Sequence, residues 1–287
     1  MTASVQSDVV LRFHCADRPG IVAAVTPPLA AAGWDIRDAG IFGDTATGAF
    51  FVRMHIASQT AAFDDIERVL APAIRSFGLT LEAFDLRHPL RTLIAVSKSE
   101  HCLIDLIHKT KIGTLPIDIV GVVSNHETAR ATCEWHGLAF HHIPMDPANK
   151  PAQEQAFKTH IANTGAELVV LARYMQILSA EFADLLAGRC INIHHSFLPS
   201  FKGARPYAQA HERGVKLIGA TAHYVTSDLD EGPIIEQDVR RVTHTTTEDE
   251  MIAIGREVEA SVLSRAVRWH AEHRVMLNGH KTVVFEQ

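Results

Sequence analysis

Hydrophobic and polar positions follow two different rhythms along the chain. The segment DVVLRFHC (8–15) reads as a strand, and the apolar, alanine-rich stretch after it reads as a helix ending near Gly33. Strands are predicted at 35–43 and 49–57 around the polar turn Asp44 to Gly48, then a helix near 61–77 and the strand LTLEAFDL. This gives the order βαββαβ. A polar bridge, DLRHPL (86–91), follows, and beyond it strands alternate with helices. Strands at 91–97, 117–124, 138–143, 167–172 and 190–194 are almost continuously apolar, as in a parallel sheet covered on both faces. A β-rich section at 217–226 and 233–242, a helix over 247–272 and a small strand at 281–285 end the chain. The class is α/β, with a ferredoxin-like domain over 6–86 and a mostly parallel-sheet domain over 90–287. On the long helix, Arg256, Glu257, Glu259, Arg265 and Arg268 read as a solvated face over a core stripe, without chemistry of their own.

Composition narrows the function. The 287 residues, 47% of them apolar, suffice for two cored domains. With 27 basic and 33 acidic side chains the net charge is -6, which offers polyanions no general attraction, so nucleic acid is not expected as a partner. No basic, apolar leader opens the sequence and no apolar run reaches about 18 residues, so a cytoplasmic protein with no membrane partner is expected. The four cysteines form no CxxC pair and read as reduced thiols. Eighteen histidines raise the question of metal. Pairs at 141/142 and 194/195, with His211 and His223, show no HExxH motif and no compact carboxylate set, so no metal is expected.

Ligands in open α/β sheets collect beyond the carboxyl ends of the strands. Two segments there carry chemistry. In INIHHSFLPSFKGARPY (191–207), Asn192 and His194 are two apart on a strand and share a face, so an amide donor and an imidazole can act on one atom. In HYVTSDLDEGPII (223–235), Asp228, Asp230 and Glu231 occupy a loop where a carboxylate can orient a histidine or accept a proton. By spacing alone a hydrogen-bonded core histidine and a solvated acidic loop are the more ordinary readings of these segments.

Resemblance carries the reading further. Asp17, Arg18, Pro19 and Gly20 at the head of an apolar helix, in the βαββαβ order, resemble the ACT family of small-molecule regulatory domains over about 6–86. The segment NIHHSFLP with HYVT-x-x-LDEGPII some thirty residues later resembles the formyltetrahydrofolate-dependent formyltransferase and deformylase superfamily over about 90–285. That resemblance implies catalysis by Asn192, His194 and Asp230. It also implies a folate-contacting loop at LARYMQIL (171–178), with Arg173, Tyr174, Met175, Gln176, Ile177 and Leu178, although Tyr174, Met175 and Ile177 suit a core equally well. Ser196, Thr226 and Leu229 complete the implied substrate contacts, Ser196 by holding His194 or its loop. Gln176 departs from the arginine of the transferases, which leaves the polar contacts there open.

Transferases of the superfamily hold a phosphate on a glycine-rich turn after their first strand. Here the place reads VSKSEHCLIDLI (96–107), without glycine and with Glu100, which favours water as the acceptor, Lys98 notwithstanding. His101 and Cys102 in this turn fit either a direct role or a helix-start histidine with a buried thiol. The two domains together resemble the formyltetrahydrofolate deformylases. The implied reaction is hydrolysis of 10-formyltetrahydrofolate to tetrahydrofolate and formate, supplying formate and balancing one-carbon folate pools for purine biosynthesis, with no cofactor. The ACT resemblance implies a homo-oligomer with an amino-acid effector at Asp17 to Gly20. A formyltransferase with an unphosphorylated amine acceptor and a non-catalytic folate or amino-acid sensor are the alternatives.

Overall fold

A computed structural model describes residues 7–146, 149–198 and 206–286. The sequence expected at 199–205 in the histidine segment therefore lies outside the described residues. The first unit opens with β1 (Ser7–Ala16), α1 (Ile21–Ala31), β2 (Asp35–Asp44), β3 (Ala49–Ser58), α2 (Ile66–Phe77) and β4 (Thr80–Asp85). Their antiparallel sheet has the order β2-β3-β1-β4. Period-two alternation turns Val9, Leu11, Phe13 and Cys15 of β1 to one face, where they meet Ile21, Val25 and Leu29, spaced by four on α1. Gly20 enters that helix at φ 96°, a conformation that costs glycine little.

The second unit contains β5 (Leu90–Val96), α3 (His101–Lys111), β6 (Ile117–Ser124), α4 (Arg130–Trp135), β7 (Phe140–His142), α5 (Lys150–Thr164), β8 (Leu168–Leu171), α6 (Ala180–Leu185) and β9 (Cys190–His194). After these come α7 (Pro206–Glu212), β10 (Leu217–Tyr224), β11 (Ile234–Arg241) and α8 (Glu248–Ala271). The seven-stranded sheet runs β11-β10-β9-β8-β5-β6-β7, parallel from β9 to β7, with β10 and β11 antiparallel at the other edge. No described helix is long and apolar enough to cross a membrane.

Two features differ from the sequence reading. A strand β12 (Val275–Asn278) precedes the expected β13 (Lys281–Val284), and the two pair. Residues 272–278 and 283–286 also belong to the first compact unit with residues 7–89, rather than to the second with 90–271. Packing explains this: Met276, Val283 and Phe285 cluster with Phe51, on the strand neighbouring β1. The second difference concerns α8. Its buried residues include Met251, Gly255, Val258, Glu259, Val262, Leu263 and Ala266, so Glu259 belongs to the core-facing side and not to a solvated face.

Candidate active site

The order of the second sheet reverses beside β5, and the carboxyl ends of β5, β8 and β9 emerge there together, with Ala95 opposite Leu171 and Leu171 opposite Asn192. Asn192 and His194 share one face of β9. The antiparallel pairing of β9 with β10 sets Thr221 opposite His194 and His223 opposite Asn192. That register creates a contact which spacing within one segment does not reveal: Asn192 Nδ2 donates to His223 Nε2 at 3.2 Å. His223 Nδ1 lies 2.9 Å from the Tyr224 carbonyl, which accepts its proton and leaves Nε2 as the acceptor in the neutral ring.

The loop from β10 to β11 brings in the carboxylate. Asp230 Oδ1 lies 3.2 Å from His194 Nδ1 and 3.7 Å from His223 Nε2. The hydrogen bond to His194 holds the Asp230 carboxyl well below the ordinary range, whereas His223 Nε2, the acceptor from Asn192, has no proton to offer it. Asp230 is left-handed, at φ 58°, an uncommon state for a residue other than glycine. Gly232 permits the turn, since a Cβ there would collide with the Tyr224 carbonyl oxygen. Tyr224 N donates to the Pro233 carbonyl at 2.9 Å and fixes the loop's return. Thr226 Oγ1 donates to the Asp228 carbonyl at 3.1 Å, while Asp228 itself is exposed.

The loop after β8 is tied to the end of β5. Ser97 N donates to the Arg173 carbonyl at 3.2 Å, and Met175 N donates to Ser97 Oγ at 3.0 Å. The alternatives for this loop separate. Tyr174 is buried, edge-on to Phe157 with ring centroids 5.9 Å apart, and burial lifts its hydroxyl to about 12. Met175 and Ile177 are exposed by 58% and 60%, as is Leu229 by 58% on the Asp230 loop. Gln176, Ile177 and Leu178 join Tyr174 in lining a narrow cavity that also touches Phe157 and Phe182. Ser196 is buried, and its carbonyl accepts from Thr221 Oγ1 at 3.0 Å.

Behind these residues lies a polar cluster that the sequence reading missed. Glu259, 1% exposed, accepts from Tyr207 Oη at 2.6 Å through Oε1, while its Oε2 lies 2.8 Å from His101 Nε2 and 3.3 Å from Arg173 Nε. Burial raises its proton affinity, but His101, Arg173 and Tyr207 outweigh it and the carboxyl sits below its usual range. Gly255 leaves room for Tyr207, whose hydroxyl oxygen a Cβ there would meet. Four-residue spacing from Gly255 and Leu263 is the sequence signal that places Glu259 on the buried stripe. His195 stacks on His194 with centroids 5.2 Å apart, and burial, with Arg173 and His194, pushes it down to about 4. Cys102 is buried and its thiol is raised well above the usual range, chiefly by burial. Ligand atoms of His101, Cys102 and Glu259 lie within 4.8 Å of one another, the spacing of a metal site. The Arg173 guanidinium already supplies positive charge to Glu259, so these residues do not fit a cation well.

In the first unit, Asp17 to Gly20 form an exposed turn. Asp17 N donates to the Gly48 carbonyl at 2.8 Å, and the Arg18 guanidinium lies 4.3 Å from the Phe77 ring centroid.

Residues 90–267 match the formyl transferase family. The chain is 48% identical to a formyltetrahydrofolate deformylase of Corynebacterium sp. (strain P-1) over 96% of its own length and 97% of that protein's. It is similar to the crystal structure of the formyltetrahydrofolate deformylase from Burkholderia mallei, with a TM-score of 0.93 and 47% identity, covering 97% of this chain and 99% of that one. The glycinamide ribonucleotide transformylase 1 of Symbiobacterium toebii matches at 30% identity with a TM-score of 0.64, over 69% of this chain and 95% of its own. Similarity over the whole length, at this identity, means that the chain belongs to the formyltetrahydrofolate deformylase family.

Proposed function

We propose that this protein hydrolyses 10-formyltetrahydrofolate to tetrahydrofolate and formate, with Asn192, His194 and Asp230 carrying the reaction. The observation that supports it most directly is the meeting of these three side chains, from one strand and a distant loop, beyond the carboxyl end of the sheet. With Nδ1 turned to Asp230, His194 offers Nε2 to the formyl oxygen. One hydrogen of Asn192 Nδ2 engages His223, which sets the amide plane and leaves the second for the same oxygen.

Water adds to the formyl carbon, the carbonyl electrons move onto oxygen, and Asn192 and His194 stabilise that oxyanion. Asp230 enters the reaction ionised. Its low basicity at rest makes the orientation of His194 and the stabilisation of its imidazolium the larger contribution. As the bound folate excludes solvent, the carboxylate's proton affinity rises and it accepts the water proton. Collapse of the adduct breaks the bond from carbon to N10, and the proton passes to N10. Formate leaves as the anion, so each turnover releases one proton.

Met175, Ile177 and Leu229 form the apolar contacts for the folate ring, with backbone groups of the 174–178 loop for its polar edge. Arg173 serves that loop through its backbone, since its head group turns to Glu259. Water as acceptor is supported by the turn from β5 to α3, which lacks glycine and whose His101 is committed to Glu259. No resident cofactor is required. Assembly of copies through β2, the outer strand of its sheet with Ile36, Ile41 and Phe42 exposed, and an amino-acid effector at Asp17 to Gly20 belong to the same proposal. Measuring formate from purified protein and 10-formyltetrahydrofolate without any amine tests it. Turnover that requires an amine would establish transfer instead, and no turnover under either condition would leave only the sensor.

A further inference from the structure

Arg173 holds a conformation that its own chemistry does not favour. It is one of three described residues other than glycine with positive φ, at 62°, and it stands at the head of the 174–178 loop. A left-handed arginine is strained unless its surroundings hold it. Its Nε and Nη1 are buried and have no hydrogen-bond partner among the described residues. The carboxylate placed against it is Glu259, with Oε2 3.3 Å from Nε in an ion pair lacking hydrogen-bond alignment. Glu259 is in turn held by His101 and Tyr207, so its position is determined before Arg173 is considered.

From this arrangement, and resting on the folate reading above, we infer that Glu259 is a positioning residue for folate binding. It acts through Arg173, whose charge it neutralises and whose left-handed backbone it holds, and so sets the loop that carries Met175 and Ile177. Glu259 does not touch the reacting atoms. Without its charge, a guanidinium whose Nε and Nη1 are buried has no carboxylate paired with it among the described residues and pulls toward water, and the strained residue relaxes with it. Glycine at 173 removes both demands, since it adopts positive φ freely and carries no charge.

The test is a double-mutant cycle on kcat and KM for 10-formyltetrahydrofolate, using wild type, Glu259→Gln, Arg173→Gly and the double variant, with Tm recorded for each. Wild-type formate release comes first, and its failure would remove the folate reading itself. Given turnover, Glu259→Gln should raise KM by about tenfold or more with a smaller change in kcat, the effect of a displaced binding loop. The double variant should recover most of that loss and match Arg173→Gly in kcat/KM, because the two changes remove one interaction. If Glu259→Gln is too unstable to assay, the comparison of the double variant with Arg173→Gly still decides. Two results would overturn the inference while leaving the hydrolase intact: an unchanged KM in folded Glu259→Gln, or a double variant clearly worse than Arg173→Gly, which would mean that Glu259 acts by another route.

Discussion

Replacing Asp230 with Asn retains the shape of the side chain but removes its charge from a position 3.2 Å from His194 Nδ1. At an effective dielectric constant of about 20, opposite unit charges at that separation attract by roughly 5 kcal/mol, which bounds the loss when His194 carries positive charge in the transition state. A single hydrogen bond to a charged group contributes about 1.5–3 kcal/mol, which sets the lower figure. The expected fall in kcat is therefore roughly 10- to 10⁴-fold, and loss of the base places it in the upper part of that span. KM should change little, since the carboxylate acts mainly on charge that develops during reaction. The assay is formate release at saturating substrate, with single-turnover measurements to separate chemistry from product release. The parallel variant Asp228→Asn alters an exposed side chain and should stay within about twofold. Normal turnover in Asp230→Asn with a dead Asp228→Asn would refute the choice of carboxylate. The depressed pKa adds a second reading with a definite sign. The folded-state value lies below the unfolded one, so Asp230 stabilises the fold above the ordinary carboxylate range of about 4, and this contribution is lost as pH falls through the folded value. Asp230→Asn should therefore show a shallower loss of stability in acid than wild type, measured by Tm against pH.

Changing His223 to Gln removes the ring that orients Asn192, and should lower kcat by about tenfold, or 1–2 kcal/mol, with the fold preserved by circular dichroism. In Gly232→Ala the new Cβ meets the Tyr224 oxygen, so the Asp230 loop must shift, and activity should collapse together with a loss of roughly 1–3 kcal/mol of stability in denaturant titration. Prolonged dialysis against a strong chelator should leave the rate unchanged, and activity restored only by added zinc would make His101, Cys102 and Glu259 a metal site after all. Sedimentation should find an oligomer that Phe42→Lys weakens, and glycine or methionine should alter the rate by favouring one state; a monomer indifferent to both would make the first unit a scaffold.

Local sequence determines a good deal of this protein. Alternation by two placed Asn192 and His194 on one face of a strand, and apolar strands separated by helices implied a parallel sheet, because both signals depend only on neighbours along the chain. The motif at 223–235 pointed to Asp230 by resemblance, while its distance from His194 needed the fold. Tertiary structure alone decided the rest. His223 looked like one histidine among many until the register of β9 with β10 set it opposite Asn192, a pairing between segments thirty-one residues apart. Glu259 lies among charges typical of a solvated helix face; its spacing by four from Gly255 and Leu263 puts the three on one side of α8, but that this side meets the sheet and α3 was decided by packing of the whole helix. The strand at 281–285 was legible, whereas its partner Val275–Asn278 and the grouping of Met276, Val283 and Phe285 with Phe51 were not. Apolar burial is non-directional, so a sequence can state that such residues need cover without stating which distant surface provides it.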